Sequence, residues 1–304
     1  MAPVSANPAG AVTILSPTLA AAQPVWEDWA AMVTRAVASD LDGTLLRSDG
    51  TLDERSRGAL AALREAGIPL VLCSARPARW IEPLAAQTGH GGVAVCANGA
   101  VLWDLDAGAA LEVEALAPPV AAEIVARLRP ALPHAAWAVE RAHGFGHEPS
   151  YEPRWPVPAD TVVDTVEGLV RQPAVKLMLR DPERSADALL ATARELIGDL
   201  AHCSHSSSAD SLLEIAAAGV SKATALARVC ERRGIAAEHV VAFGDMPNDL
   251  PMLEWAGHGV AVANAHPAVL AAADEVTAAN DDAGVARVIE RLVAGSMPME
   301  PAIP

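Results

Sequence analysis

Residues 39–46 read SDLDGTLL and continue the apolar run RAVASD at 35–40. A short apolar run that ends on an acid and meets a glycine reads as a buried strand closing in a turn. Asp40 and Asp42 stand two positions apart, so at a strand end their side chains point the same way. Gly43 lets the chain turn away with no side chain in its path. Carboxylates flanked by apolar sequence are costly unless paired or bound to a cation. Ligands of open α/β sheets bind beyond the carboxyl ends of the strands. Two acids there would meet at the mouth of a cleft, where Mg²⁺ is often held by one or two carboxylates plus a substrate phosphate.

Working outward, TLDERSRGALAALREAG (51–67) predicts a helix capped by Thr51 or Asp53 and stopped by Gly67. IPLVLCSA (68–75) predicts a strand, PARWIEPLAAQTG (77–89) a helix and GGVAVCANGA (91–100) a strand with a turn. The C-terminal part repeats the alternation: a helix at 221–234, a strand at 239–245, a helix at 248–257 and a strand at 259–265. Helices at 267–276 and 281–293 follow, around a short strand near Val276. Apolar strands alternating with helices predict an α/β fold, a doubly wound Rossmann-like parallel sheet with helices on both faces. The stretch 102–207 differs: extended segments HAAWAVERA and AVKLMLRD are mixed with helices at 120–128 and 185–198. It predicts an α+β unit inserted into the core, which would comprise residues 32–101 and 208–294. Residues 1–31, which lack a positively charged n-region, are expected to be a disordered or dispensable extension, and 295–304 a flexible tail.

A second acidic cluster lies in FGDMPNDLPML (243–253). Asp245 ends a predicted strand as Asp40 does, and Asn248 and Asp249 open the next helix. Asp249 alone would read as a helix cap favouring the positive dipole end; two acidic strand ends in one parallel sheet point to a shared site. An EF-hand loop is excluded, since Thr44, Leu45 and Thr51 stand at its fifth, sixth and twelfth places. There is no GxGxxG after a strand, no GxxxxGK[ST] and no GxSxG. A net charge of −16 argues against a broad nucleic-acid or anionic-membrane surface. No segment has the charge-free apolar length of a membrane span. Cys73, Cys96, Cys203 and Cys230 have no CxxC spacing and read as free thiols of a reducing cytoplasm.

These residues together resemble the haloacid dehalogenase-like phosphatases, specifically the Cof-type branch (subfamily IIB) with a large C2-type cap. DLDGT resembles the first family motif, LCSARP the second, GVSKATAL the third and GDMPNDLPML the fourth. ANGA around Asn98 and VAVANAHPAV around Asn264 match further family signatures, so the resemblance spans roughly 35–293. Only 31 residues separate Asp42 from Ser74, which leaves the cap to the later insertion. Two positions depart from the family pattern: Ser74-Ala75-Arg76 stands for Thr-Gly-Arg, and Lys222-Ala223 for Lys-Gly.

The resemblance implies a Mg²⁺-dependent phosphatase acting on a small phosphorylated metabolite, such as a sugar phosphate, through an aspartyl-phosphate. It implies Asp40 as nucleophile, Asp42 as acid/base, Ser74 and Lys222 at the phosphoryl group, and Asp40, the Asp42 carbonyl and Asp245 as metal ligands. Asn248 and Asp249 would support the metal shell. Candidate substrate contacts are Thr44, Ala75, Arg76, Asn98, His143 and Arg154. A phosphomutase would share the same aspartates, and a metabolite-binding regulator the same fold. Lys176, on an alternating strand, reads as a solvent-facing lysine as readily as a cleft residue. The loop RAHGFGHEPSYEPRW, with Arg141, His143, His147, Tyr151 and Arg154, reads either as a cleft wall or as a solvent loop.

Overall fold

The computed structural model describes residues 4–6, 11–15, 36–206 and 211–296. After β1 (Val4–Ala6) and β2 (Ala11–Leu15), the first half of the core runs β3 (Ala36–Ser39), α1 (Glu54–Glu65), β4 (Leu70–Leu72), α2 (Ala78–Thr88) and β5 (Val93–Cys96). Strands β3, β4 and β5 are buried along their whole lengths, which is why they read as continuous apolar runs. Asp53 caps α1 by accepting from the Ser56 N–H. The hairpin β6 (Val101–Asp104) and β7 (Ala109–Leu116) comes next.

The inserted unit contains α3 (Pro118–Leu128), β8 (Ala136–Glu140), β9 (Phe145–His147), β10 (Val162–Val163) and α4 (Val166–Leu169). It continues with β11 (Lys176–Arg180), α5 (Ala186–Ile197), β12 (Ala201–Ser204) and β13 (Leu212–Ala217). The core resumes with α6 (Lys222–Arg232), β14 (Val240–Gly244), α7 (Leu250–Trp255), β15 (His258–Ala261), α8 (Pro267–Ala272), β16 (Glu275–Val276) and α9 (Gly284–Ser296).

The core sheet is parallel, in the order β16-β15-β14-β3-β4, and a Cys73–Val95 bridge leads from β4 towards β5. From β3 the chain winds outward one way; from β14 it winds the other way. The strand order therefore reverses between β3 and β14, and ligands of such sheets bind beyond the strand ends at that point. The Asp40 N–H bonds the Phe243 carbonyl at 3.0 Å, carrying this pairing to the last residue before the turn.

The cap sheet has the order β10-β9-β8-β11-β13-β12 and is antiparallel apart from the β9–β10 pair. Its side chains alternate between two faces. Leu177, Leu179, Trp137, Val139, Leu213 and Ile215 are fully buried and join the residues of α3 and α5 in the main apolar cluster. Lys176, Met178, Arg180, Glu140, Leu212 and Glu214 occupy the other face.

The change from core to cap falls later at both ends than the sequence boundaries of 102 and 207. β6 and β7 pair with β5, and β13 pairs with β11 and β12 inside the cap sheet. An antiparallel hairpin reads the same in sequence whichever sheet it extends. Two parts of the expected N-terminal extension are strands: β1 pairs with β2, and β2 pairs with β7. The rest of 1–31 lies outside the described residues, as does the tail beyond Ser296.

Candidate active site

Asp40 sits one residue beyond β3 and Asp245 one residue beyond β14, on either side of the order reversal. The turn after Asp40 is held by bonds from the Thr44 and Leu46 N–H groups to the Leu41 carbonyl. Gly43 adopts φ 77° and a Cβ there would collide with the Asp245 carboxylate, so this position requires glycine twice over. Asn264 fastens the same turn by donating to the Gly43 carbonyl at 2.8 Å, and Asn280 donates to the Leu46 carbonyl at 2.9 Å. Asn264 is the family-signature residue, and its role is to hold the loop that carries the aspartates.

Lys222 opens α6 directly after the capping-box residue Ser221. Its ammonium is fully buried and donates to Asp40 at 2.5 Å and to Asp249 at 2.6 Å. Burial alone would depress this ammonium; Asp249 and Asp40 outweigh it and hold the group above its ordinary value. Asp249 spends its second oxygen on the N–H groups of Asp245 and Met246, at 3.1 and 3.0 Å. Thr44 donates to Asp245 at 2.8 Å. Burial first, then Asp249, pushes Asp245 up to about 7.

Oxygens of Asp40, Asp245 and Asp249 lie within 4.8 Å of one another, and all three residues are buried. Three carboxyl groups share one ammonium, and the raised Asp40 and Asp245 show that the cluster lacks the positive charge a divalent cation would supply. The donors are hard oxygens, as Mg²⁺ requires. Asn248 donates to Asn98 at 3.0 Å, while its own buried Oδ1 has no donor among the described residues. That acceptor would suit a water carried by a bound cation. The residues present therefore fit a divalent metal.

Asp42 is different in kind. Its side chain is half exposed and accepts two bonds from Arg76, at 2.6 Å from Nε and 2.5 Å from Nη2. Ser74 is buried at the end of the β4 segment, and its Oγ accepts from the Arg76 N–H at 3.1 Å. Asp40, Asp42, Ser74, Ala75, Arg76, Asp245 and Asn248 open on one cavity of about 810 Å³, whose other wall is formed by cap residues.

Most of the sequence-derived candidates thus converge; one placement differs, and Lys176, open between two readings, takes the cleft one. His143 is exposed and stands edge-on to Trp103, with ring centroids 6.4 Å apart; it does not line the cavity, whereas Arg154 does. His143 lies in the turn between β8 and β9, where Gly144 adopts φ 117°. Lys176 is buried: it donates to the Ala75 carbonyl at 2.9 Å and pairs with Glu214. Glu214 also accepts from Asn98 at 3.2 Å, and so ties the cap to the residue that supports Asn248. Arg79 of α2 makes a second tie, to Glu140 of β8, at 2.6 and 2.9 Å. Glu140, Glu214 and Arg79 were not identified from the sequence; for the two glutamates the signal was an acid set among apolar strand residues, whereas Arg79 sits on α2 and gave none.

The sequence pattern of the haloacid dehalogenase-like hydrolases matches residues 37–289, from β3 into α9. The chain belongs to the haloacid dehalogenase-like hydrolases. Pyridoxal phosphate phosphatase YbhA of Escherichia coli K12 is 32% identical over 270 residues, 85% of this chain and 98% of that protein. The 5-amino-6-(5-phospho-D-ribitylamino)uracil phosphatase YcsE of Bacillus subtilis 168 is 26% identical, over 85% of this chain and 96% of its own. The crystal structure of SMU.1108c from Streptococcus mutans UA159 has the same fold, with a TM-score of 0.74 at 24% identity over 86% of this chain and 99% of that one. As a haloacid dehalogenase-like hydrolase of the phosphatase type, the chain is a phosphoric monoester hydrolase. No helix among the described residues is long and apolar enough to cross a membrane.

Proposed function

We propose that this hydrolase removes the phosphoryl group from a small phosphorylated metabolite through an aspartyl-phosphate on Asp40, with Mg²⁺ held by Asp40, the Asp42 carbonyl and Asp245. The observation that carries the reading is the buried Asp40–Lys222–Asp249 chain beside Asp245, opening on one capped cavity. Lys222 holds Asp40 in one orientation, so that its free oxygen can approach phosphorus. The Asp40 oxygen forms a bond to phosphorus as the ester oxygen leaves, and Asp42 gives that oxygen its proton. Asp42 then takes a proton from the water that attacks phosphorus, and the Asp40 carboxylate is released. Ser74 donates to a phosphoryl oxygen. Bound Mg²⁺ would screen the repulsion between carboxylate and phosphate and stabilise charge in the transition state. Asp249 has both oxygens occupied by protein donors, which supports a role in holding Lys222 and the 245–246 turn.

Arg76 pairs with Asp42, and proton transfer by Asp42 requires that pair to loosen. The relatives named above act on a phosphorylated pyridine and on a phosphorylated ribityl-uracil. A sugar phosphate falls within the same class of small monoesters. The test is inorganic phosphate release across a metabolite panel, with Mg²⁺ and with chelator, beside Asp40→Asn. We expect release to need Mg²⁺ and to fall by at least about a thousandfold in Asp40→Asn. Near-normal turnover in that variant, or isomerised phosphosugar without free phosphate, would overturn the reading.

A further inference from the structure

The chain is poor in aromatic residues, with seven Trp, two Phe and one Tyr among 304 residues. Four of these, Trp80, Phe145, Tyr151 and Trp155, line the same cavity. Trp80 comes from α2 of the core and the other three from the cap, so the cluster forms only where the two parts meet. Trp80 and Trp155 stand 6.2 Å apart and tilted by 55°, and Phe145 and Tyr151 stand 6.4 Å apart and tilted by 58°. Trp155 is 61% exposed, the most exposed of the large apolar side chains described. An indole left in water at a cavity mouth is apolar area still available to a ligand.

The charged groups around these rings are largely spent on one another. Arg79 pairs with Glu140, Lys176 with Glu214, and Arg76 with Asp42. A polyol is recognised through unspent donors and acceptors, and would have to break these pairs. A flat ring needs only the faces that the aromatic residues offer. Two buried donors remain: the Nε atoms of Arg79 and Arg180 have no acceptor among the described residues. Their guanidinium carbons lie 5.2 Å from the ring centroids of Trp80 and Tyr151 respectively. A buried donor beside an aromatic face calls for an acceptor at the edge of a stacked ring.

We infer that the leaving group of the substrate is a flat aromatic ring, heterocyclic or carrying a carbonyl or phenolic oxygen at its edge. The phosphoryl end meets Asp40 and Ser74, and the ring stacks against Trp80 and Trp155. This inference rests on the phosphatase reading for the position of the phosphoryl end. The cavity, at about 810 Å³, has room for such a ring together with its phosphate.

The test compares kcat/KM for pyridoxine 5′-phosphate, benzyl phosphate, cyclohexylmethyl phosphate and glucose 6-phosphate. Wild type, Trp80→Leu and Trp155→Ala are measured, and calorimetric binding of the same four esters to Asp40→Asn is measured without turnover. Benzyl and cyclohexylmethyl phosphate have matched carbon skeletons and differ in planarity. We expect the two aromatic esters to exceed the other two by about tenfold, in kcat/KM and in affinity. Both Trp variants should shrink the benzyl-to-cyclohexylmethyl ratio, chiefly through KM. Equal or weaker handling of the aromatic esters, or a ratio unmoved in both variants, would overturn the inference while phosphate release still upheld the phosphatase reading. If no ester is turned over, the phosphatase reading fails, and the binding order in Asp40→Asn still decides the ring preference.

Discussion

Lys222 touches Asp40 and Asp249 with a single ammonium at the N-terminus of α6, where the helix dipole opposes a cation. The position is tolerable because two buried carboxylates supply more attraction than the dipole removes. Lys222→Met keeps the side-chain volume and leaves both carboxylates buried beside Asp245 without a counter-charge. Removing one partner of a buried ion pair costs about 3–5 kcal/mol. We expect a loss of that size in urea unfolding measured with chelator, and at least about a hundredfold loss in kcat. Lys222→Arg should not restore turnover, since a planar fork cannot replace a compact ammonium at 2.5 and 2.6 Å from two carboxylates. Full activity in Lys222→Arg would show that charge alone is needed. Asp40, Asp42, Asp245 and Lys222 are legible in the sequence because each breaks a local rule: an acid at the end of an apolar strand, or a base at a helix start. Lys176 is not, because a lone lysine on an alternating strand looks the same whether it faces water or Glu214.

At the level of elements, the cap strands β11 and β13 grip the core through Lys176 and Glu214. Lys176 reaches the Ala75 carbonyl beside Ser74, and Glu214 reaches Asn98 beside Asn248. Burial would raise the Glu214 carboxyl, but Lys176 and the surrounding donors outweigh it and hold the group below its ordinary value. A carboxylate depressed on folding stabilises fully above its unfolded pKa, and that contribution is lost as pH falls through the folded value. The pair therefore strengthens the fold at neutral pH and weakens it on acidification below the ordinary glutamate range. Glu214→Gln should cost about 3–5 kcal/mol at pH 7 by stranding the Lys176 ammonium, whereas Lys176→Met with Glu214→Leu should recover most of it. The double variant should also lose stability less steeply than wild type in urea titrations from pH 7 to pH 4. Its kcat/KM should stay low, because the ties to Ala75 and Asn98 are gone; a recovery of both stability and kcat/KM would deny the pair any positioning role. The core elements were legible because their strands are apolar throughout and α1 is capped by Asp53, one of the two residues the sequence offers. The sheet membership of β6, β7 and β13 was not, since hairpin periodicity records which face is buried and never which neighbour lies alongside.

Across the whole molecule, a net charge of −16 attracts divalent cations everywhere, so metal dependence has to be separated from general screening. The three buried acids of the candidate site are shielded from salt by the protein around them, whereas exposed charges are screened within about 8 Å at physiological ionic strength. A ligand bound only to the folded state stabilises it by about 2.7 kcal/mol at a hundredfold excess over its Kd. For a chain of this length, that corresponds to a rise in Tm of about 4 °C. We expect Mg²⁺ to raise Tm by that order in 0.5 M NaCl, with a logarithmic dependence on Mg²⁺ concentration, and chelator to reverse it. Asp245→Asn removes one site carboxylate and leaves the surface charge intact. It should abolish the Mg²⁺-dependent rise while keeping a cooperative transition. The same rise in Asp245→Asn would place the stabilising cation elsewhere on the acidic surface and remove the metal from the proposed site.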